Sequence, residues 1–330
     1  MNIEINLKEL KEFKRIFKSD FIQVTAIDNK VELYSMDCKV EILKVVPDAK
    51  VHEDGIVIIP TYLIDVLPPG DIIITEKGLN NENTLIDFKE FNKTATYKPF
   101  SPDEILVKDI KEEVLKEILE VKHAIAKDEC RPILENICLR KNDAVSLDGY
   151  RLSKRTTDFN LDRDIFIYKD IVKIINKIKI KGTSFIGIQE EDVIFKIDEY
   201  FIRFKNISGD FIEYNGLIPI KENKVVCDVD SNIVFKVLQR AKRLGEYLLN
   251  VSISNGHMDF MINRFDITFN ERINVECNGE IELALNINYL IDTFKVLKGE
   301  VRIELTGKVT PVIFKQSGKL ELILPIRLSK

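Results

Sequence analysis

Basic side chains with helical spacing are the first feature of the sequence that suggests chemistry. Lys8, Lys11, Arg15 and Lys18 recur every three or four residues, so they share one side of a helix predicted over residues 7–18. Cations in such a row can meet a chain of phosphates. A single row is also ordinary on a solvent-exposed helix, so its meaning depends on whether it recurs.

Groups that could perform catalysis are sparse. The histidines (His52, His123 and His257) have no HxxxH or HExxH spacing, and no P-loop, G-x-S-x-G or G-x-G-x-x-G motif occurs. Asp148-Gly149 is explained more simply as a turn between strands than as a catalytic carboxylate. The sequence therefore predicts no catalytic residue, no cofactor and no metal site.

Cysteine usage and hydropathy bound the setting of the protein. The five cysteines have no CxxC pair, which is typical of a reducing compartment and argues against disulfides; we interpret them as small core residues. No basic segment followed by an apolar run stands near Met1, and no stretch approaches the roughly 20 apolar residues that cross a bilayer. A cytoplasmic location without a membrane partner is predicted.

An internal repeat organises the chain. The tetrapeptide Tyr-Leu-Ile-Asp occurs at 62–65 and again at 289–292, and each copy opens a short amphipathic segment that ends at a glycine and runs into a strand. Residues 169–181, followed by Gly182, have the same arrangement between them. A threefold repeat is therefore predicted.

The segments upstream of these copies repeat as well. Residues 7–18, 113–127 and 231–244 each have helical periodicity, and alternating apolar and polar runs typical of strands follow each of them. Three units of about 110 residues result, with predicted boundaries of 1–101, 102–220 and 221–330. A purely structural reading, three similar domains fused without a shared purpose, stays open at this point.

Charge is segregated between the predicted helices and the rest of the chain. The six helical segments (7–18, 60–67, 113–127, 169–181, 231–244 and 288–298) contain 19 Lys and Arg against 8 Asp and Glu, whereas the remainder contains 30 against 46. Recurring basic helix faces favour a phosphate backbone as the partner. The residues predicted to face it are Lys8, Lys11, Arg15, Lys18, Lys122, Lys173, Lys177, Lys236, Arg240, Arg243 and Lys295.

Sequence-specific reading of bases is not indicated. The chain has no recognition-helix motif, no zinc-finger spacing, no RNP-type aromatic pair and no Trp. Contact without base recognition suits a protein that moves along double-stranded DNA, because each position then has nearly the same energy.

Several ordered motifs resemble the bacterial DNA sliding clamps, the beta subunits of DNA polymerase III. They are Asp128–Leu134 (DECRPIL), Ser146–Ser153 (SLDGYRLS), Leu285–Leu290 (LNINYL) and the carboxyl-terminal Leu324–Leu328 (LPIRL). The resemblance covers 103–330 through motifs and 1–102 through helix and strand pattern.

The resemblance implies an α+β DNA-clamp fold of three similar domains, each with two helices packed on antiparallel sheets. Two subunits would join head to tail into a homodimeric ring around duplex DNA, with the basic helices lining the hole. The protein would be a processivity factor, a non-catalytic subunit of the polymerase holoenzyme. Its partners would be a DNA polymerase and a clamp loader, both bound through short linear peptides.

The resemblance also implies a hydrophobic groove for those peptides. Its residues, carried over by motif, are Leu147, Gly149, Tyr150, Arg151, Leu152, Ile212, Leu217, Tyr247, Asn286, Tyr289, Val309, Pro311, Leu322, Leu324, Pro325, Ile326 and Arg327. Apolar pockets with a few polar anchors bind extended peptides by burying their Leu and Phe side chains. Without the resemblance, ordinary core packing would explain most of these residues.

Two departures from the family pattern bear on function. Gly216 stands where the family has an Arg beside the groove, and Lys18–Phe21 joins helix to strand without the customary loop. These departures favour a second hypothesis, a clamp-like paralogue or phage-borne scaffold that recruits repair or host factors. A hydrolase on the triplicated scaffold has almost no residue support.

Overall fold

Antiparallel strands make up most of the protein, and short helices interrupt them. The computed structural model describes residues 1–88, 97–100, 106–127, 130–158, 161–182, 184–220 and 224–327. The chain separates into unit 1 (Met1–Leu115 and Asp170–Ile207) and unit 2 (Lys116–Lys169 and Ser208–Lys330). No helix in the described part of the chain is long and apolar enough to cross a membrane.

Unit 1 contains two sheets. One has five strands, in the order β5 (Lys50–Glu53), β1 (Asn2–Asn6), β7 (Asp71–Thr75), β8 (Gly78–Asn81) and β9 (Thr84–Asp87). The other has eight, in the order β10 (Leu106–Ile110), β15 (Ser184–Gln189), β16 (Asp192–Ile197), β17 (Tyr200–Lys205), β4 (Val40–Val46), β3 (Lys30–Met36), β2 (Phe21–Ile27) and β6 (Gly55–Pro60).

Unit 2 also contains two sheets. The larger has nine strands, in the order β14 (Ile165–Tyr168), β11 (Asn136–Arg140), β12 (Asp143–Leu147), β13 (Arg151–Thr156), β26 (Lys319–Ile323), β25 (Val312–Gln316), β24 (Glu300–Leu305), β18 (Val225–Asp230) and β22 (Glu276–Cys277). The smaller has four, in the order β21 (Thr268–Asn274), β20 (His257–Asn263), β19 (Leu248–Ser254) and β23 (Ile281–Asn286).

Helices occur in all six predicted segments. They are α1 (Leu7–Ile16), α2 (Leu63–Val66), α3 (Glu112–Glu120), α4 (Lys169–Ile175), α5 (Ser231–Lys242) and α6 (Ile287–Val296). The predictions for α2 and α4 were too long. Pro68 and Pro69 follow α2, and proline disfavours helical geometry in the residue before it. After α4 the Asn176 side chain donates to Val172 O at 2.6 Å, a bond of the kind that competes with the backbone.

The helices that follow β1, β18 and β23 begin in the same way. Asn6, Asp230 and Asn286 each end a strand and accept a hydrogen bond from the backbone N–H two residues later, at 3.1, 2.7 and 2.9 Å. This side-chain cap replaces a hydrogen bond that the first turn of a helix lacks. The capping residues therefore fix where the helices start.

Each large sheet contains one junction that joins strands from two parts of the sequence repeat. In unit 1, β4 pairs with β17, and Val40 lies opposite Phe204. In unit 2, β13 pairs with β26, and Arg151 lies opposite Ile323. The junctions cross the predicted boundaries at 101 and 220, and the division into three domains stays a prediction.

A buried cation stands beside each junction. Lys44 of β4 is 3% exposed, and its Nζ lies 2.6 Å from Glu9 Oε2 of α1. Burial opposes the charged form of Lys44, but the hydrogen bond to Glu9 prevails and raises its pKa to about 12.

The unit 2 cation belongs to a larger buried network. Arg155 of β13 is 1% exposed, donates from Nε to Glu120 Oε2 at 3.0 Å, and lies 2.8 Å from the buried carboxylate of Glu321 on β26. Glu321 also accepts from Ser153 Oγ at 2.7 Å and contacts His123 Nε2 at 3.0 Å. The network therefore ties α3 and both strands of the junction together.

Removing the unit 2 cation is expected to destabilise the protein. Arg155→Ala should lower the free energy of unfolding by about 3–5 kcal/mol, because it leaves the Glu321 carboxylate buried without its cation. Urea denaturation followed by circular dichroism measures the change. Arg163→Ala, at an exposed arginine, is the control and should stay within about 0.5 kcal/mol of the parent. Equal effects of the two substitutions would contradict the role given to Arg155.

Candidate functional site

A basic cleft in unit 1 brings together residues from two predicted helix faces. The cleft has a volume of about 830 Å³. Seven Lys and Arg residues line it against four Asp and Glu residues; the basic ones are Lys8, Lys11, Arg15, Lys44, Lys177, Lys179 and Lys181. Four of the predicted phosphate-facing residues, Lys8, Lys11, Arg15 and Lys177, therefore lie in one concave basic surface.

Reciprocal hydrogen bonds hold the two sides of the cleft. Arg15 Nη2 donates to Lys177 O at 3.3 Å, and Lys177 Nζ donates to Ile16 O at 3.1 Å. Burial, together with the charges of Lys18, Arg15 and Lys173, lowers the pKa of Lys177. Since like charges crowd there without enough carboxylates to neutralise them, an anion in the cleft would be stabilised.

Unit 2 has its own basic helix faces. Helices α5 and α6 pack against each other, and Lys236, Arg240, Arg243 and Lys295 are exposed on them or at their ends. Lys122, in the turn that follows α3, is exposed as well.

Some of the predicted phosphate-facing residues already have carboxylate partners. Arg240 pairs with Glu271, Lys173 with Asp170, and Lys295 with Asp292 at 3.7 Å. By contrast Lys8, Lys18, Lys236 and Arg243 form no ion pair with any described residue. The unpaired four are the strongest candidates for contact with phosphates.

Arg151 is the polar centre of the predicted groove in unit 2. The side chain is 8% exposed, donates from Nε to Asp148 Oδ2 at 2.9 Å and from Nη1 to Asp292 Oδ2 at 2.8 Å. Its guanidinium stacks on the ring of Tyr289 at 4.4 Å from the ring centroid. Arg151 is therefore held in one orientation by two elements, the loop before β13 and helix α6.

The loop before β13 forms the rim of the groove. Asp148 Oδ1 accepts from the backbone N–H groups of Tyr150 and Arg151, at 2.9 and 3.0 Å. Gly149 has φ of +91°, a conformation that favours glycine, and a Cβ there would lie 2.9 Å from Arg131 Nη1. Leu324 N donates to Tyr150 O at 2.8 Å, so the carboxyl-terminal segment lies beside the loop.

The predicted groove residues divide into exposed and buried groups. Leu147, Leu152 and Leu322 are core residues of one apolar cluster, at 1–4% exposure. Tyr150, Ile212, Leu217, Tyr247, Val309 and Leu324 are exposed hydrophobic residues, and Arg327 is exposed as well. The buried leucines can support a peptide surface from below, while the exposed group can contact a ligand.

The remaining groove residues lie at strand and helix ends. Asn286 caps α6, and Ile287 N donates to Tyr247 O at 2.8 Å, which places Tyr247 beside that cap. Pro311 precedes β25, and Ile326, next to Pro325, donates from its N–H to Ala284 O at 2.7 Å. Of the motif residues, Asp128, Glu129 and Leu328 lie outside the described residues.

Two functional partners were missed in the sequence. Asp292 binds Arg151 although no motif pointed to it, and Asp148 had been explained only as a turn residue. The signal for Asp292 was present, because it is the aspartate of the second Tyr-Leu-Ile-Asp copy. A contact across 141 residues of sequence could not be read from that signal alone.

Solved structures with the same architecture cover the whole chain. A DNA polymerase sliding clamp from Bacillus subtilis matches with a TM-score of 0.86 at 19% identity, covering 100% of both chains. The beta subunit of the DNA polymerase of Streptococcus pyogenes matches with a TM-score of 0.85 at 18% identity, over 99% of this chain and 100% of that one. The chain therefore has the α+β fold of the DNA sliding clamps, as predicted.

Sequence comparison agrees with the fold. The beta sliding clamp of Proteus mirabilis is 23% identical over 335 residues, which cover 91% of this chain and 90% of that protein. No family model matches the chain. The resemblance to the bacterial beta sliding clamp, the beta subunit of DNA polymerase III, is thereby confirmed.

Proposed function

We propose that the protein is a DNA sliding clamp, in which two copies close head to tail around duplex DNA and tether a polymerase to it. The observation that carries the proposal is the clamp fold over the full chain, with one free edge left in each small sheet. A ring acts through topology rather than catalysis, because a weakly bound partner kept near its template has a high effective concentration.

The two internal junctions share one register. Residues 37–40 and 148–151 form equivalent turns, in which the first N–H donates to the last C=O. In both junctions the last turn residue, Val40 or Arg151, pairs with the fifth residue of the opposite strand, Phe204 or Ile323. The junctions therefore follow a rule that can be applied to the remaining strands.

The same rule predicts how two copies would join. Strand β21 follows an equivalent turn at 264–267, and both β21 and β9 lie at the edges of their sheets. Unpaired edge strands of this kind are templates for pairing with another chain. Counting from each turn pairs Ile267 with Phe88 and Phe269 with Ile86 of the second copy, so an apolar contact would close the ring.

Ring closure can be tested by mass. The parent should sediment at twice 38.1 kDa, and Ile86→Lys should produce monomers, because an ammonium group would be buried against Phe269. The double variant Ile86→Lys with Phe269→Glu should recover dimers through a new ion pair. Analytical ultracentrifugation at micromolar concentration measures all three.

The control for this test is a second free edge. Ile56→Lys changes an exposed isoleucine on β6, the edge of the eight-stranded sheet, and should leave the dimer intact. Dimers that survive Ile86→Lys, or are lost equally with Ile56→Lys, would contradict the proposed register.

Duplex DNA is the proposed ligand of the basic helix faces. The unit 1 cleft and the exposed cations of α5 supply phosphate contacts, while aromatic side chains for base stacking are absent from the residues that line the cleft, apart from Tyr200. Tyr200 is itself buried at 3% exposure and lies beside Lys44. Such a surface supports binding that does not depend on base sequence.

Salt dependence tests the DNA-facing residues. Replacing Lys8, Lys11 and Arg15 with Gln should weaken binding to a short duplex at least about tenfold at low salt and flatten the salt dependence by about one unit of log–log slope for each lost phosphate contact. Fluorescence anisotropy measures both quantities. Lys30, Lys205 and Lys308, exposed elsewhere, form the matched control triplet and should change neither. The same loss in both triplets would remove support for a specific DNA-facing surface.

The groove around Arg151 is the proposed binding site for polymerase and clamp-loader peptides. Tyr150 and Leu324 offer exposed apolar contacts beside a fixed guanidinium, which suits an extended peptide with Leu or Phe side chains and a polar group. At Gly216 no atom lies within 4 Å of a Cβ position, so the arginine that the family has at this place would fit.

Peptide titration tests the groove. A peptide from the carboxyl terminus of a bacterial replicative polymerase should bind the parent, and Tyr150→Ala or Leu324→Ala should weaken binding at least about tenfold. Phe21→Ala, an exposed aromatic in unit 1, is the control and should have no effect. Gly216→Arg should favour peptides with an acidic residue. Binding that is indifferent to both groove substitutions would place the peptide elsewhere.

A further inference from the structure

Two of the five cysteines lie directly opposite each other in unit 2. Cys227 is on β18 and Cys277 is on β22, and the two are register partners in an antiparallel pair. Both were interpreted from the sequence as inert core residues. Cys138 and Cys227 are indeed buried, whereas Cys38 and Cys130 are exposed and Cys277 is half-buried.

The backbone hydrogen bonds show which kind of pair the cysteines form. Asn278 N donates to Val226 O at 3.2 Å, so Val226 and Asn278 occupy a hydrogen-bonded position. Because such positions alternate along an antiparallel ladder, Cys227 and Cys277 occupy a non-hydrogen-bonded one. Cα atoms at these positions are about 4.5 Å apart with both side chains on one face, within the range that a disulfide spans.

The segment that carries Cys277 is held tightly against β18. Val226 N donates to Asn278 Oδ1 at 2.7 Å, and a Cβ at Gly279 would lie 3.0 Å from Val225 Cγ2. Both cysteine side chains pack on the same apolar cluster, Cys227 at 0% exposure and Cys277 at its margin. The two thiols therefore share one small environment that opens to solvent on the Cys277 side.

We propose that Cys227 and Cys277 form a reversible redox pair, which closes to an intramolecular disulfide when the protein meets an oxidised low-molecular-weight disulfide. No other residue is required for the step. The pair has no part in the groove or in the basic faces, so the proposal stands independently of the clamp function.

The reaction proceeds by two thiol–disulfide exchanges. The Cys277 thiolate attacks one sulfur of the oxidant, the oxidant's S–S bond breaks, and one small thiol leaves with a proton. The Cys227 thiolate then attacks the Cys277 sulfur and displaces the second small thiol. The two cysteines lose two hydrogens in all, and the oxidant is reduced to two thiols.

Burial explains the order of the two steps. Burial, with smaller contributions from Cys277 and Asp228, raises the pKa of Cys227 to about 12, so its thiolate is scarce near neutral pH. Cys277 is also the more accessible sulfur of the two. Cys277 is thus the entry point, and Cys227 resolves the mixed disulfide.

Thiol counting under defined oxidation tests the proposal. The variant Cys38→Ser with Cys130→Ser removes the exposed thiols and retains three. Treatment with oxidised glutathione should reduce the count from three thiols to one, lower the mass by about 2 Da for the two hydrogens lost, and link the Cys227 and Cys277 peptides in a non-reducing digest. Dithiothreitol should reverse all three changes.

A thermal measurement separates a native disulfide from incidental oxidation. Closing the pair should raise the unfolding midpoint by about 5–10 °C, and Cys277→Ser in the same background should abolish both the shift and the link. A stable glutathione adduct on Cys277, a link between two copies of the chain, or three surviving thiols would each overturn the proposal.

Discussion

Backbone pairing across the sheet junctions is the constraint on which the rest of the structure depends. In each large sheet, strands distant in sequence meet edge to edge, β4 with β17 and β13 with β26. A cation stands at the same distance from the turn in both cases, Lys44 and Arg155, and each is almost fully buried against carboxylates of a helix. A buried charge is tolerated only with its partners in place, so these pairs favour one register over its neighbours.

The free edge of unit 2 departs from this pattern. Counting from the equivalent turn, Glu271 of β21 takes the place of Lys44 and Arg155, and Arg240 of α5 takes the place of the helix carboxylate. The polarity of the pair is therefore reversed at the edge proposed to meet a second copy. A reversed pair distinguishes this edge from the internal junctions, which is how charge placement can suppress wrong pairings.

Local features of the fold were predictable from the sequence, and long-range ones were not. The helical stripe of Val234, Val237, Leu238 and Ala241 is buried as its periodicity indicated. The early end of α4 depends on one side-chain hydrogen bond from Asn176, which no periodicity reveals. The basic rows were visible as spacing, but their convergence in the unit 1 cleft requires the fold. Likewise, the motifs located Arg151 and Tyr150, whereas the Asp292 contact and the facing cysteines arise only from strand register.

Topological capture of DNA tests the central claim most directly. Ile86→Cys with Phe269→Cys places thiols at the predicted contact between copies, and a bifunctional thiol reagent can then join the ring while it surrounds a nicked circular plasmid. The account predicts that crosslinked protein stays with the circular DNA in sodium dodecyl sulfate and is released when the plasmid is cut to a linear form. Absence of capture by the crosslinked dimer, or retention that survives linearisation, would contradict it.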